Sequence, residues 1–428
     1  MDPMEAYVQL GLDANPALLS ARATTAASEA AFAESRYAYM PSVGLQSRYT
    51  RSAGGRTIEF PVGDLLNPVY GALNEVNGSS SFPTIENEQI RFLRKTEQET
   101  KANLVQPLFL PGAAAWRRAA AADVDRAEAT LISTERDVAA GIRDAYLAWL
   151  QAGQAVVIVQ AAETQLLEAH RATSSLVENG LATNDALFRI EADLSGIRQR
   201  LAMAENQTSL ASAALNTLLA RPIDTPVESA DPALLETNLR ARGLLEASSV
   251  DMRPELKVLD AAENAAAAGL AQERSSRLPQ VVVAADWGVQ GTRYTFSDDS
   301  DFRTASVVAT WTLFDGRRRS ARIQRAEAQQ RQVSAQRAAV RDQLELEVQA
   351  ARWRLDLAES NVLAARDGRT SAASAFRLTE RRYTEGLATV LELLDARRTL
   401  TLAEQQLLIA RMDVLRAHVE LLRVTTTI

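Results

Sequence analysis

Two proline-free stretches constrain this chain most. No proline falls between residues 112 and 221, and none follows Pro279. Inside these stretches an unbroken helical pattern runs from about 113 to about 179, and again from about 317 to about 384. At a rise of 1.5 Å per residue, each helix is on the order of 100 Å long. Helices in globular proteins average about 11–12 residues. A helix so much longer must pack sideways along its whole extent, as in a coiled coil.

The two stretches belong to a duplication. "ANPAL" at 14–18 resembles "MRPEL" at 252–256, and "YMPSVGLQ" at 39–46 resembles "RLPQVVVA" at 277–284, both at an offset of 238 residues. "QPLFLPG" at 106–112 matches "TWTLFDG" at 310–316 at an offset of 204, and "GLAT" at 180–183 returns at 386–389 at an offset of 206. The offset falls by 34 between the second and third pairs, so the first copy carries an insertion of that length. It lies somewhere within 51–98, is rich in turn signals ("SAGG", "NPVYG", "NGSSSFP"), and reads as a long loop. Residues 1–230 and 231–428 are expected to be the two structural repeats. Each repeat reads helix, strand, loop, strand, very long helix, turn, return helix. The strands are placed at about 41–52, 99–109, 279–291 and 303–314, and the return helices at about 184–220 and 388–424.

The strands rest on period-two alternation. One face carries Val43, Leu45 and Tyr49, then Val281, Val283 and Trp287, then Val307 and Trp311; the other carries residues such as Gln46, Arg48, Asp286 and Thr304. Each strand is about the length of a tilted strand crossing a bilayer. A soluble sandwich with one solvated face would alternate in the same way.

The last helix shows what its neighbours require. Leu387, Leu391, Leu394, Leu408, Met412, Leu415, Val419 and Leu422 follow alternating steps of four and three, with polar Arg398, Thr401 and Gln405 filling the gap. A second stripe of Leu393, Leu400, Leu407, Val414 and Leu421 repeats every seventh residue, echoed by Leu187, Leu194, Leu201 and Leu215. A period of seven imposes a left-handed supercoil, and two stripes call for neighbours on two sides. The wall of a helical tube meets that need; one broad core-facing face in a soluble bundle is the alternative.

Composition narrows the function. The net charge of −7 argues against a nucleic-acid partner. Without cysteine there is no disulfide, thiolate metal site or thiol nucleophile. The two histidines, His170 and His418, read as ordinary helix-surface residues. No glycine-rich phosphate loop, Ser/His/Asp set or metal cluster is visible, so neither an enzyme nor a cofactor is expected. No apolar run reaches the length of a membrane helix, which leaves a membrane barrel open. The N-terminus lacks a signal-peptide pattern, and an exported protein would correspond here to the mature form.

With these residues on the page, the chain resembles the TolC-like outer-membrane efflux proteins over nearly its whole length. The residues 381–423, "RRYTEGLATVLELLDARRTLTLAEQQLLIARMDVLRAHVELLR", are similar to that family's second periplasmic turn and return helix. "LVQPLFLPG" at 104–112 and "ATWTLFDGRRRSARIQRAEAQ" at 309–329 are similar to its strand-to-helix turns. The resemblance implies a mainly α fold with β, in which a coiled-coil helical barrel joins four strands per protomer contributed to a twelve-stranded barrel shared by a homotrimer. It implies an outer-membrane exit duct, extending into the periplasm, for a tripartite efflux pump or type I secretion. The partners would be outer-membrane lipid, a periplasmic adaptor and an inner-membrane RND or ABC transporter.

The resemblance also assigns roles to residues. Val43, Leu45, Tyr49, Val281, Val283, Trp287, Val307 and Trp311 would face lipid. Gly180, Leu181, Ala182 and Thr183, with Gly386, Leu387, Ala388 and Thr389, would form tips that meet the adaptor. Glu392 and Asp395 would line the periplasmic constriction, with Arg381, Arg382, Arg397 and Arg398 near enough to clasp neighbouring helices. In the first copy Ala186 stands where relatives carry an acid, beside Asp185. The competing reading is a coiled-coil scaffold without a channel.

Overall fold

The structure is a computed structural model and describes residues 2–180, 182–231, 235–240, 250–294, 297 and 299–425. In chain order the elements are α1 Pro3–Ala14, α2 Pro16–Arg36, β1 Ser42–Arg51, β2 Thr57–Phe60, α3 Val62–Asn77, β3 Glu88–Arg91, β4 Thr96–Phe109, α4 Ala113–Glu178, α5 Asn184–Leu218, α6 Pro254–Ser275, β5 Gln280–Gly291, β6 Asp301–Thr310, α7 Arg318–Thr384 and α8 Val390–Thr425. Two compact units result. One comprises Met1–Phe32, Arg117–Leu270 and Gln324–Ile428; the other comprises Ala33–Trp116 and Ala271–Ile323. Each unit draws segments from both halves of the sequence.

The first unit is helical, and the two stripes of α8 meet different neighbours. Met412, Leu415, Val419 and Leu422 pack with Ile142, Tyr146 and Leu147 of α4, Leu215 of α5, and Met4 and Val8 of α1. Leu394 joins Val159 and Leu166 of α4 and Ile190, Leu194 and Ile197 of α5. The second stripe turns to α7: Leu393 and Leu400 pack on Phe376 and Tyr383, and Val414 on Ala358. Alanines at many contacts hold the helices close. Leu387 and Leu391 begin the first stripe but stay exposed. Helix α4 also contains an 18-residue window apolar enough by composition to cross a membrane, a third of it buried. The sequence reading missed this window because scattered charges break the run. Lateral packing of α4 buries part of its apolar content.

His418 is buried rather than on a helix surface, and burial pushes its imidazole below its ordinary pKa. His170 lies 3.3 Å from Glu191. A half-buried ionic cluster ties four helices together. Arg253 reaches Glu255 at 2.6 Å and Glu347 at 2.9 Å, Arg423 reaches Glu347 at 2.7 Å and Glu420 at 2.9 Å, and Arg136 donates to the Arg423 carbonyl.

The second unit is built on one antiparallel sheet in the order β1-β4-β5-β6, with a small β2-β3 ribbon beside it. The last strand ends at Thr310, not at 314. Its partner gives the reason: Thr310 pairs with Gln280, and Pro279 before it has no N–H to extend the ladder. Trp311 therefore lies just past the strand, where its indole donates to the Arg277 carbonyl at 3.0 Å. The insertion is not a plain loop. "NPVYG", read as a turn, lies inside α3, which ends at Gly78 with a φ of 58°.

Candidate functional site

The register of the sheet sorts its residues into two faces. Val43 pairs with Leu104, Leu104 with Ala285, and Ala285 with Ala305. The next rung on the same face is Leu45, Ala102, Trp287 and Arg303. Val283 pairs with Val307, and Val281 with Ala309. Seven of the eight residues expected to face lipid thus share one side of the sheet; the eighth, Trp311, follows the strand. Val43, Leu45, Tyr49, Trp287 and Val307 are between 63% and 78% exposed, and Val281 and Val283 are half-buried. Two polar groups on this side, Ser47 and Thr100, are bonded to each other at 2.9 Å and to the Tyr294 hydroxyl at 3.2 Å. The Arg303 guanidinium lies 6.0 Å from the Trp287 ring, on the rung of Leu45.

The opposite face is charged. Arg48 bonds Glu99 at 2.7 Å, and Lys101 bridges Glu99 at 3.4 Å and Asp286 at 2.9 Å. An apolar side backed by an ionic side is the pattern of a membrane strand with a watery lumen behind it. The sheet also ends abruptly: among the described residues β1 and β6 each pair on one side only, leaving two rows of backbone donors and acceptors open.

At the other functional region both long helices stop on a glycine. Gly180 has a φ of 70° and Gly386 a φ of 73°, the left-handed conformation that costs glycine least. At the second turn the Gly386 amide donates to the Tyr383 carbonyl at 3.0 Å and the Leu387 amide to the Arg382 carbonyl at 2.7 Å, a Schellman ending. At the first turn the Gly180 amide bonds Val177 at 3.0 Å and the Ala182 amide bonds Leu176 at 3.2 Å. Leu181 lies outside the described residues. Thr183 is exposed, as are Leu387 and Thr389, whereas Ala388 is half-buried against the α7–α8 cluster.

The two turns differ in how the next helix starts. At α8 the Thr389 amide donates to Glu392 Oε2 at 2.7 Å, and the Glu392 amide to Thr389 Oγ1 at 3.3 Å. This is a capping box. The Thr389 backbone and hydroxyl bonds hold the Glu392 carboxyl below its usual range. The first copy has Ala186 at the matching position, and Thr183 makes no side-chain cap. Asp395 is exposed one turn further on. Asp185 pairs with Arg189 at 3.2 Å.

Of the arginines expected to clasp neighbours, Arg382 donates to the Leu387 carbonyl at 3.0 Å, inside its own turn. Arg397 is buried and bonds Asp193 of α5 at 3.1 Å. Sequence reasoning missed this pair. The signal was present: Arg397 falls on the stripe between Leu393 and Leu400, where only a paired charge is tolerated. Thr173 and Tyr383, their hydroxyls 2.6 Å apart, link α4 to α7 and were also missed. Among the described residues no group of three or more His, Asp or Glu is placed to hold a metal ion.

A sheet with one lipid-compatible face, joined in one chain to helices of 66 and 67 residues, defines a channel protein of the outer-membrane type. The chain belongs to the outer membrane efflux protein family, which it matches over residues 7–221 and 248–427. No curated protein matches it by sequence. Among solved structures it is similar to the outer-membrane channel OprN (17% identity, TM-score 0.76, 99% of this chain and 89% of that one). It is similar also to VceC of Vibrio cholerae (17%, 0.75, 99% and 95%) and to the open state of MtrE of Neisseria gonorrhoeae (16%, 0.75, 99% and 89%). These likenesses concern the fold. The protein is an outer-membrane efflux duct with a periplasmic extension.

Proposed function

We propose that the working duct is a homotrimer in which three copies of the four-stranded sheet close one twelve-stranded barrel. The observation that carries this reading is the pair of open edges, β1 and β6, on a sheet whose exposed face is apolar. Open edges are not tolerated in lipid, where each unpaired backbone group costs several kcal/mol, and only closed barrels span it. β6 of one copy pairing with β1 of the next leaves none. The charged face then lines the lumen, and Val43, Leu45, Tyr49, Val281, Val283, Trp287 and Val307 meet lipid, with Trp311 beside the inner interface. The coiled-coil scaffold gives this apolar face no purpose. Native mass measurement on detergent-solubilised protein is expected to give a trimer; a monomer throughout rejects the reading.

In the same reading the duct is a passive conduit without enzymatic activity. Its tips, Gly180–Thr183 and Gly386–Thr389, dock the hairpins of a periplasmic adaptor, and that adaptor connects it to an inner-membrane RND or ABC transporter. Glu392 and Asp395 of three chains ring the periplasmic constriction and favour cations, as charged side-chain rings do in other pores. Single cysteines at Thr183 or Thr389 are expected to crosslink to an adaptor tip. Crosslinks confined to mid-helix positions reject tip docking.

A further inference from the structure

The insertion carries a helix turned the unexpected way round. One side of α3 is fastened to the returning chain by asparagines seven residues apart. Asn67 exchanges two hydrogen bonds with Ile85, at 2.9 and 2.8 Å, and Asn74 two with Phe82, at 2.8 and 3.0 Å. Tyr70, on the same side, lies against Phe82 with ring centroids 5.4 Å apart. Pro68 removes one internal helix bond, and the asparagine clamps keep the segment helical across it. The polar side is therefore the inner one. The other side presents Leu65, Val69, Leu73 and Val76, spaced by four, four and three, with Leu65 69% and Val76 83% exposed.

The chemistry of the segment selects what covers this stripe. Residues 57–90 contain Glu59, Asp64, Glu75, Glu86 and Glu88 and neither lysine nor arginine. Helices that lie on anionic membrane surfaces carry basic residues on the polar face; this segment has the opposite charge, so a lipid surface is a poor partner. The insertion joins β1, an open-edge strand, to its inner neighbour β4, so it stands at the end of the sheet next to the open edge. On a three-fold axis an apolar stripe meets its own symmetry mates, with Asp64 and Glu75 left on the flanks.

We infer that three copies of α3 pack stripe to stripe about the trimer axis and cap the outer mouth of the barrel. This rests on the trimeric reading. The chain has no cysteine, so Val76→Cys supplies a single thiol. Mild oxidation of the trimer is expected to convert most of it to covalent dimers, since two of three stripes can pair at once. A Leu65→Ser/Val69→Ser/Val76→Ser variant is expected to remain trimeric and to conduct more in a planar bilayer. A trimer in which the thiol is freely alkylated and forms no dimer overturns the cap and leaves the trimer standing. Quenching of a fluorophore at position 76 by brominated lipid also overturns it, by showing the stripe in lipid. Unchanged conductance of the triple variant overturns occlusion of the mouth. A monomer overturns both readings.

Discussion

Asp193 Oδ2 lies 3.1 Å from Arg397 Nη2, joining the two return helices across 204 residues of sequence. The guanidinium is buried and its Nε and Nη1 have no hydrogen-bond partner among the described residues. Asp193 is thus its charge partner within the chain. Asp193→Ala is expected to cost about 3 kcal/mol, because it leaves a buried charge unpaired. Arg397→Met, which removes the charge and keeps the volume, is expected to cost less than half as much. Denaturant midpoints of the two variants measure the difference; equal losses would show that packing, not charge, holds the site.

The capping box gives Glu392 a pH signature. Its folded pKa is below its ordinary value, so it stabilises the start of α8 above the unfolded carboxylate pKa. That contribution is lost as pH falls through the lowered folded value. Protection of the Thr389 amide against hydrogen exchange is expected to fall over that acidic window in the wild type and to be independent of pH there in Glu392→Gln. A carboxylate ring crowded at a constriction would shift the same group upward. The direction found in the assembled duct therefore reports which influence governs Glu392.

Arginine at Val283 or Val307 tests the outer face of the sheet. The two residues are paired across β5 and β6. Near the bilayer midplane each substitution is expected to cost about 2–4 kcal/mol. Refolding yield and unfolding in lipid vesicles provide the measurement. The same substitution at Ser306, on the charged face, is expected to be tolerated.

Acid should loosen the ionic cluster of the helical unit. Glu420 is held below its ordinary pKa by its bonds to Arg423. Burial pushes Glu255 upward, and its bonds to Arg253 more than offset that. Both groups contribute stability above the ordinary carboxylate pKa, and that stability disappears as pH falls through their lowered folded values. Unfolding midpoints measured against pH are expected to drop in this range, and the drop should shrink in Glu420→Gln. An unaltered acid limb would assign the pH dependence elsewhere.

Much of the fold was legible because long regular elements repeat their signal. The seven-residue stripes of α8 announced neighbours on two sides, and Leu394 and Leu393 do turn to different helices. The alternation of Val281, Val283 and Trp287 gave the face of β5 before any register was known. Features that depend on distant partners were hidden. Trp311 continues the alternation, but its strand stops where Pro279 ends the partner ladder. Asn67 and Asn74 look like turn formers until Ile85 and Phe82 come back to meet them. His418 resembles a surface residue because the groups around it, Glu359 on α7 and Glu236 and Arg240 before α6, lie far from it in sequence. Glu392 was legible as an acid near a turn. Its bond to Thr389 is also written in the Thr-x-x-Glu spacing.

The open edges of β1 and β6 have a consequence for biogenesis. A lone chain arriving at the membrane carries two ten-residue strands that lipid cannot satisfy. In the trimeric reading insertion and association are one event, and the yield of folded duct is expected to rise more steeply than linearly with chain concentration. Dilute or slowly supplied chains stay exposed to proteolysis and to wrong edge-to-edge pairing. Cellular control of duct number would act through the rate of chain delivery, well before any cargo reaches the pore.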